Sequence, residues 1–130
     1  MKELGLARTS VTDVGLKHVD KMSQLRTLML SDTQVTDAGV FHLKDKASLR
    51  MLTLRNTGIT DDGLPGIAGL ANLETLDLAG TNTTNNGLRH LDQLNQLRNL
   101  SLEGTKVTEE GVRRTREMMR QCRVYSDFDK

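Results

Sequence analysis

The stretch from Leu49 to Asn72, LRMLTLRNTGITDDGLPGIAGLAN, decides the fold, because the chain contains about five versions of it. Leucines at matching positions recur every 24 residues along the sequence. One such column is Leu4, Leu28, Leu52, Leu76 and Leu100, and a second is Leu6, Leu30, Leu54, Leu78 and Leu102. A fixed period shared by many columns indicates a stacked repeat protein, in which each unit buries its apolar side against its neighbours.

The second half of each unit is as regular as the first. It reads [VI]-T-D-x-G-[LV], as in residues 35–40 (VTDAGV) and 59–64 (ITDDGL). With these motifs the chain resembles the leucine-rich-repeat family, and similar units occur in bacterial repeat proteins and in F-box-type repeat arrays. The resemblance implies an α/β fold, a right-handed solenoid bent into a horseshoe arc, with a parallel sheet on the concave side and helices on the convex side. It implies little about function, which depends on the variable positions.

The period also predicts the domain organisation. We expect a single domain over residues 1–130, with repeats at about 1–24, 25–48, 49–72, 73–96 and 97–120. A capping helix and strand are expected at about 109–126, where the pattern changes. Repeat one shows no polar-faced cap ahead of it. Three alternatives are open: a longer array precedes it, another chain covers its flank as in a homodimer, or the exposure is tolerated.

The predicted strands point every second side chain away from the leucine core, because side chains alternate along a strand. Six strands at a spacing of about 4.8 Å would give a concave strip about 25 Å wide. Methionine and tyrosine are adaptable apolar contacts, and charged side chains add specificity. The predicted partner-binding residues are Met29, Met51, Thr53, Arg55, Thr75, Asp77, Asn99, Ser101, Glu103 and Tyr125.

The segment after each strand is predicted to be helical. A threonine precedes it in every repeat and is a favourable N-cap, and an acidic residue in most repeats follows where the helix dipole favours an anion. The recurring glycine is expected to allow close approach to the neighbouring backbone. Thr83 stands in a column of buried Val and Ile, so its hydroxyl needs a partner. Lys46 replaces a core leucine, and we expect its amine to reach water.

Composition excludes several functions. The formal net charge is +1 and aromatic residues are scarce, which gives no basis for binding nucleic acid or a charged membrane. No apolar run is long enough to span a bilayer and no leader peptide is visible. The single cysteine, Cys122, fits a reducing compartment, so we predict a cytoplasmic protein.

Catalytic and metal-binding patterns are weak. His18, His42 and His90 share a repeat column, but neighbouring helices lie about 10 Å apart, too far for ligands converging on one zinc ion. Cys122 has no second cysteine in a Cys-x-x-Cys motif, and we predict that it is a small buried apolar residue. No phosphate-binding, dinucleotide-binding or zinc-protease motif occurs. We therefore predict no catalytic residue, no cofactor and no metal.

The favoured interpretation is a non-enzymatic module that binds a protein or peptide partner on the concave sheet. The alternative is structural: the C-terminal part of a longer array, or an array that self-associates through its first repeat. An F-box-type ubiquitin-ligase substrate receptor is a weaker option that rests on family analogy alone.

Overall fold

The computed structural model describes residues 2–44 and 46–129, and its main feature is a six-stranded parallel sheet. Strand order follows the sequence, and each strand residue pairs with the one 24 positions later, as in Leu28 with Leu52. The predicted parallel sheet is confirmed. The strands are β1 (Glu3–Gly5), β2 (Thr27–Met29), β3 (Met51–Thr53), β4 (Thr75–Asp77), β5 (Asn99–Ser101) and β6 (Arg123–Tyr125).

Short helices connect the strands on the other side of the core. The first four are about one turn long, since each crossover needs only to return the chain to the start of the next strand. Single 3₁₀ turns accompany them at Val19–Lys21, Phe41–Leu43, Asp61–Gly63 and Arg89–Leu91. The α-helices are α1 (Asp13–Leu16), α2 (Asp37–Val40), α3 (Leu64–Ala68), α4 (Asn85–Leu88) and α5 (Glu109–Met118).

The core lies between the sheet and these helices. The middle leucine of each inner strand is fully buried, because a neighbouring repeat covers it on either side. Leu28, Leu52 and Leu76 are examples. The same columns in the first repeat, Leu4 and Leu6, are only partly buried. The strand leucines are therefore fully buried in the inner repeats and only partly buried in the first repeat.

A threonine closes the turn after each of the first five strands. Its hydroxyl donates to the carbonyl three residues earlier, as Thr57 does to Leu54 at 2.6 Å. The residue before that threonine has positive φ throughout: Arg8, Asp32 and Asn56 at 57–60° and Gly80 and Gly104 at 70–71°. Each of these threonines thus supplies a hydrogen-bond donor to a backbone carbonyl. It does so in a turn where the preceding residue has positive φ, which is unfavourable for residues other than glycine.

Thr83 finds the partner that its buried position requires. Its hydroxyl lies 2.9 Å from the hydroxyl of Thr81, which itself donates to the carbonyl of Leu78. Thr83 therefore donates to Thr81, and both side chains are buried.

Replacing Thr83 by valine is expected to leave stability unchanged or raise it by up to about 1 kcal/mol. Valine occupies this column at Val35 and Val107, and Thr81 keeps its own acceptor on Leu78. Urea unfolding followed by circular dichroism measures the difference. A loss above about 1 kcal/mol would show that the paired hydroxyls contribute more than the added methyl.

The position of Lys46 differs from the expectation that its amine reaches water. Its side chain is buried and its amine donates to the carbonyls of Met22, at 2.9 Å, and Asp20, at 3.4 Å. The amine therefore caps the end of the preceding repeat's crossover and does not extend into water. The Met22 carbonyl also accepts from the backbone N–H of Leu25, at 3.2 Å, so Lys46 adds a second donor to it.

The C-terminal repeat ends in a helix and a strand that differ from the others. Arg116 on α5 donates to the carbonyl of Val124 in β6, at 2.6 Å, and pairs with Asp129 at 2.7 Å. The hydrogen bonds from the Arg116 side chain and the Ser126 backbone lower the pKa of Asp129. Asp129 therefore adds stability above its ordinary pKa range, and this contribution is lost as the pH falls through the lowered pKa.

Candidate interaction surface

The strand residues that flank the buried leucines form two rows across the outer face of the sheet. The middle row follows the strand register through Met29, Thr53, Asp77, Ser101 and Tyr125. The register aligns a second row, through Thr27, Met51, Thr75, Asn99 and Arg123. The structure therefore brings eight of the predicted partner-binding residues together in these two rows, and the other two, Arg55 and Glu103, follow the ends of β3 and β5. We call this face the sheet surface.

Two apolar side chains stand out on the sheet surface. Met51 on β3 is 37% exposed and Tyr125 on β6 is 41% exposed. They lie three strands apart, about 14 Å across the sheet, and in different rows, because Met51 aligns with Arg123 and not with Tyr125. Met29 on β2 is half-buried and neighbours Thr53 of β3. Spaced apolar side chains on a polar surface can each enter a separate pocket of a partner.

Arg55 and Asp77 form an ion pair across neighbouring repeats. The Nε of Arg55 lies 3.0 Å from Oδ2 of Asp77, and the other carboxylate oxygen accepts from the backbone N–H of Ala79 at 3.0 Å. The Asp77 side chain is 18% exposed and that of Arg55 is 46% exposed. Asp77 thus helps to hold its own turn, while the outer side of the Arg55 guanidinium remains accessible to a partner.

Glu103 follows β5 and differs from Asp77 in its surroundings. Its Oε1 is buried and has no hydrogen-bond partner among residues 2–44 and 46–129. A buried carboxylate oxygen without a donor is unfavourable. Among the predicted partner-binding residues, Glu103 is therefore the one that has a carboxylate oxygen without a hydrogen-bond donor in the described part of the chain.

The joints between repeats contain a carboxylate contact that sequence reasoning missed. The Asp37 carboxylate accepts from the backbone N–H and the hydroxyl of Thr60 in the next repeat, at 2.8 and 2.5 Å. The sequence pattern predicts only that this aspartate interacts with the dipole of its own helix. The spacing between the Asp and Thr columns, constant at 23 residues, is the signal that could have revealed the contact.

The recurring glycines make room for these carboxylates. A methyl group at Gly63 would lie 2.4 Å from Oδ1 of Asp37, and one at Gly87 would lie 2.3 Å from Oδ1 of Asp61. The expected close approach to a neighbouring repeat is present, but the nearest group is a side chain and not the backbone. In the last joint Asn85 replaces aspartate and bonds Thr108 through both its oxygen and its nitrogen.

The histidines and the cysteine do not form a reactive cluster. His18 and His90 are exposed, His42 is half-buried, and no metal-binding group of three ligands occurs among the described residues. Burial raises the pKa of the Cys122 thiol to about 11. A thiol with so high a pKa is a poor nucleophile at neutral pH.

Cys122 is expected to react slowly with a disulfide reagent in the folded protein. At pH 8 a pKa of about 11 leaves roughly a thousandth of the thiol ionised, and burial restricts access further. Absorbance of released thiolate, followed with and without urea, measures the contrast. Fast labelling of the folded protein, at the rate seen in urea, would contradict both the burial and the raised pKa.

Two cavities lie away from the sheet surface. One of about 390 Å³ separates α4 from α5, with Leu88 and Met118 among its apolar walls and Arg89 and Arg114 among its charged ones. The other, of about 450 Å³, lies against α5 and is lined by arginines, glutamates and Phe128. Both are open grooves at the C-terminal end of the array, so neither coincides with the predicted binding residues.

Comparison with solved structures gives matches over nearly the whole chain. A leucine-rich-repeat protein of Leptospira interrogans superposes with a TM-score of 0.70 at 22% identity, covering 93% of this chain and 30% of its own. Internalin F of Listeria monocytogenes gives 0.59 at 16%, covering 100% and 48%. Internalin C2 of the same organism gives 0.59 at 21%, covering 95% and 60%. The chain thus spans between about a third and three fifths of the length of these neighbours.

No protein-family model and no curated protein sequence matches the chain. In the described residues, none of the helices has the length and apolar character needed to cross a membrane. The parallel sheet with its single register and the structural neighbours agree on the architecture. The chain has the leucine-rich-repeat fold: an α/β solenoid with a parallel sheet on its concave side and helices on its convex side.

Proposed function

We propose that the chain is a non-enzymatic module that binds a protein or peptide partner on the sheet surface. The observation that carries this proposal is the sheet surface itself: exposed Met51 and Tyr125 stand among polar side chains on a six-stranded parallel sheet with one continuous register. A rigid surface binds with little loss of conformational entropy. Aromatic residues and methionine are enriched in interface cores, which supports these two positions as anchors.

The charged residues of the sheet surface favour a partner that carries hydrogen-bond donors. Glu103 has an oxygen without a donor, whereas the Asp77 carboxylate is already bonded by Arg55 and by Ala79. A lysine or arginine of the partner would pair with the half-buried Glu103 carboxylate. Asp77 thus contributes mainly by fixing the position of Arg55.

Affinity capture from a lysate of the source organism tests the proposal if three forms of the immobilised chain are compared. These are the parent, a Met51→Ala/Tyr125→Ala variant, and a Phe41→Ala variant. Phe41 is the matched control, because it is 48% exposed and lies in a 3₁₀ turn on the helical side. All three changes remove exposed apolar side chains, so each variant is expected to fold like the parent.

We expect a specific partner to bind the parent and the Phe41→Ala form and to be lost, by about tenfold or more in affinity, from the double variant. Titration calorimetry with the purified partner gives the affinities. Loss of the partner with Phe41→Ala and retention with the double variant would move the binding site to the helical side. Circular dichroism confirms the fold of each form.

A further inference from the structure

The cavity between α4 and α5 lies where the last repeat departs from the pattern of the others. In repeat four the chain makes one helical turn and then a 3₁₀ turn at Arg89–Leu91. In repeat five the same part of the chain is one straight helix of ten residues, α5. The space between these two unlike crossovers measures about 390 Å³ and is open to solvent on the convex side. We call it the α4–α5 groove.

The apolar walls of the α4–α5 groove contain side chains that the inner repeats keep covered. Leu88 retains some exposed surface, whereas Leu64, its counterpart in repeat three, is fully buried. Met118 occupies the column of the fully buried Leu94 but is 64% exposed on α5. Because a methionine side chain adapts to the shape of its neighbour, Met118 is suited to pack over an apolar group placed in the groove.

Two arginines give the groove a positive charge. Arg89 and Arg114 are exposed and line it from α4 and α5, and Asp92 is the single acidic residue of the lining. Arg89 donates to the side-chain oxygen of Asn86 at 2.9 Å, a neutral partner that leaves its charge uncompensated. The side chain of Arg114 bonds to no other group in the described part of the chain. Both guanidinium groups can therefore accept a carboxylate.

Repeat four also lacks the negative charges that repeat three carries at the matching positions. Asn85 and Asn86, which line the groove, stand where repeat three has Asp61 and Asp62. Asn85 still bonds Thr108 of the next repeat through its oxygen and its nitrogen, so the joint keeps its hydrogen bonds without a carboxylate. With aspartate at both positions, carboxylates would outnumber guanidinium groups in the lining. The asparagines thus make the groove favourable for an anion.

We propose that the α4–α5 groove binds an acidic amphipathic segment of a protein partner. An apolar side chain of the segment contacts Leu88 and Met118, and an aspartate or glutamate beside it pairs with Arg89 and Arg114. The volume is at the lower end of that of ligand pockets, which suits a short segment and not a whole domain. A nucleic acid fits less well, because no aromatic residue lines the groove for base stacking. This site is separate from the sheet surface.

Methyl NMR of the methionines tests the proposal, because these residues report on both surfaces. Met118 and Met119 line the groove, whereas Met29 and Met51 lie on the sheet surface. The chain is titrated with a short peptide of alternating glutamate and leucine whose two ends are blocked. We expect saturable shifts at Met118 and Met119 and none at Met29 and Met51. A peptide with lysine in place of each glutamate is expected to bind at least about tenfold more weakly.

Arg114→Glu and Arg113→Glu are a matched pair of variants. They change the net charge equally at neighbouring exposed positions of α5, but Arg113 lines the other cavity. We expect Arg114→Glu to weaken binding of the glutamate peptide by about tenfold or more. Arg113→Glu is expected to change the affinity by less than about twofold, since solvent and salt screen its charge. Met118→Ala, followed at Met119, is expected to weaken binding by about threefold or more.

Several results would overturn the proposal. These are the absence of saturable shifts at Met118 and Met119, equal binding of the two peptides, or equal losses from the two charge reversals. Shifts confined to Met29 and Met51 would also overturn it, while leaving the function proposed for the sheet surface in place. Stronger shifts with a single-stranded oligonucleotide than with the glutamate peptide would assign the groove to a nucleic acid instead. The comparison of the two peptides uses the parent chain, so it decides even if a substitution prevents folding.

Discussion

Replacing Leu52 by alanine is expected to lower the free energy of unfolding by about 3–5 kcal/mol. Leu52 lies at the centre of β3 and is fully buried between Leu28 and Leu76 of the neighbouring strands. Removing its side chain loses the transfer free energy and leaves a cavity that the paired backbones on both sides cannot close.

Leu4→Ala is the matched control, because Leu4 holds the same position in β1. It is only partly buried, so we expect a loss of about 1 kcal/mol. Urea denaturation followed by circular dichroism gives both values. Equal losses at the two positions would contradict the described decline of burial at the first repeat.

Replacing Gly63 by alanine is expected to cost about 2–3 kcal/mol, through overpacking against Asp37. The sign is informative, because Gly63 has φ −86° and ψ −18°, a backbone conformation that alanine adopts readily. The added methyl group would lie 2.4 Å from Oδ1 of Asp37 and 3.3 Å from its Cα. The carboxylate must then move away from Thr60, so two hydrogen bonds to the next repeat weaken.

A double-mutant cycle with Asp37→Ala isolates this contact. Asp37→Ala alone is expected to cost about 1–3 kcal/mol, since it leaves the N–H of Thr60 without its acceptor. With the carboxylate gone, Gly63→Ala should cost at least about 1 kcal/mol less than in the parent. Thermal and urea unfolding of the four proteins measure the coupling. Additive losses would show that the methyl group and the carboxylate do not compete for the same space.

The repeat period predicted several features of the structure correctly. The register of Leu28 with Leu52, the inward leucines and the positions of Met51 and Tyr125 on one face all follow from a fixed period and strand alternation. The C-terminal helix and strand were expected from the changed pattern at Glu109 and lie at Glu109–Met118 and Arg123–Tyr125. Partner binding on the sheet surface stays a prediction, because a period specifies where side chains point and not what they bind.

The sequence by itself determined the fold, because five copies of one pattern admit a single way to stack leucines on leucines and strands on strands. Only the tertiary structure decided which polar groups meet: Asp37 with Thr60, Arg55 with Asp77, and the amine of Lys46 with the carbonyl of Met22. Each of these contacts joins residues 22–24 positions apart. Periodicity fixes which repeats are neighbours, but the distance between their backbones and the side-chain rotamers decide which polar atoms come within hydrogen-bond reach.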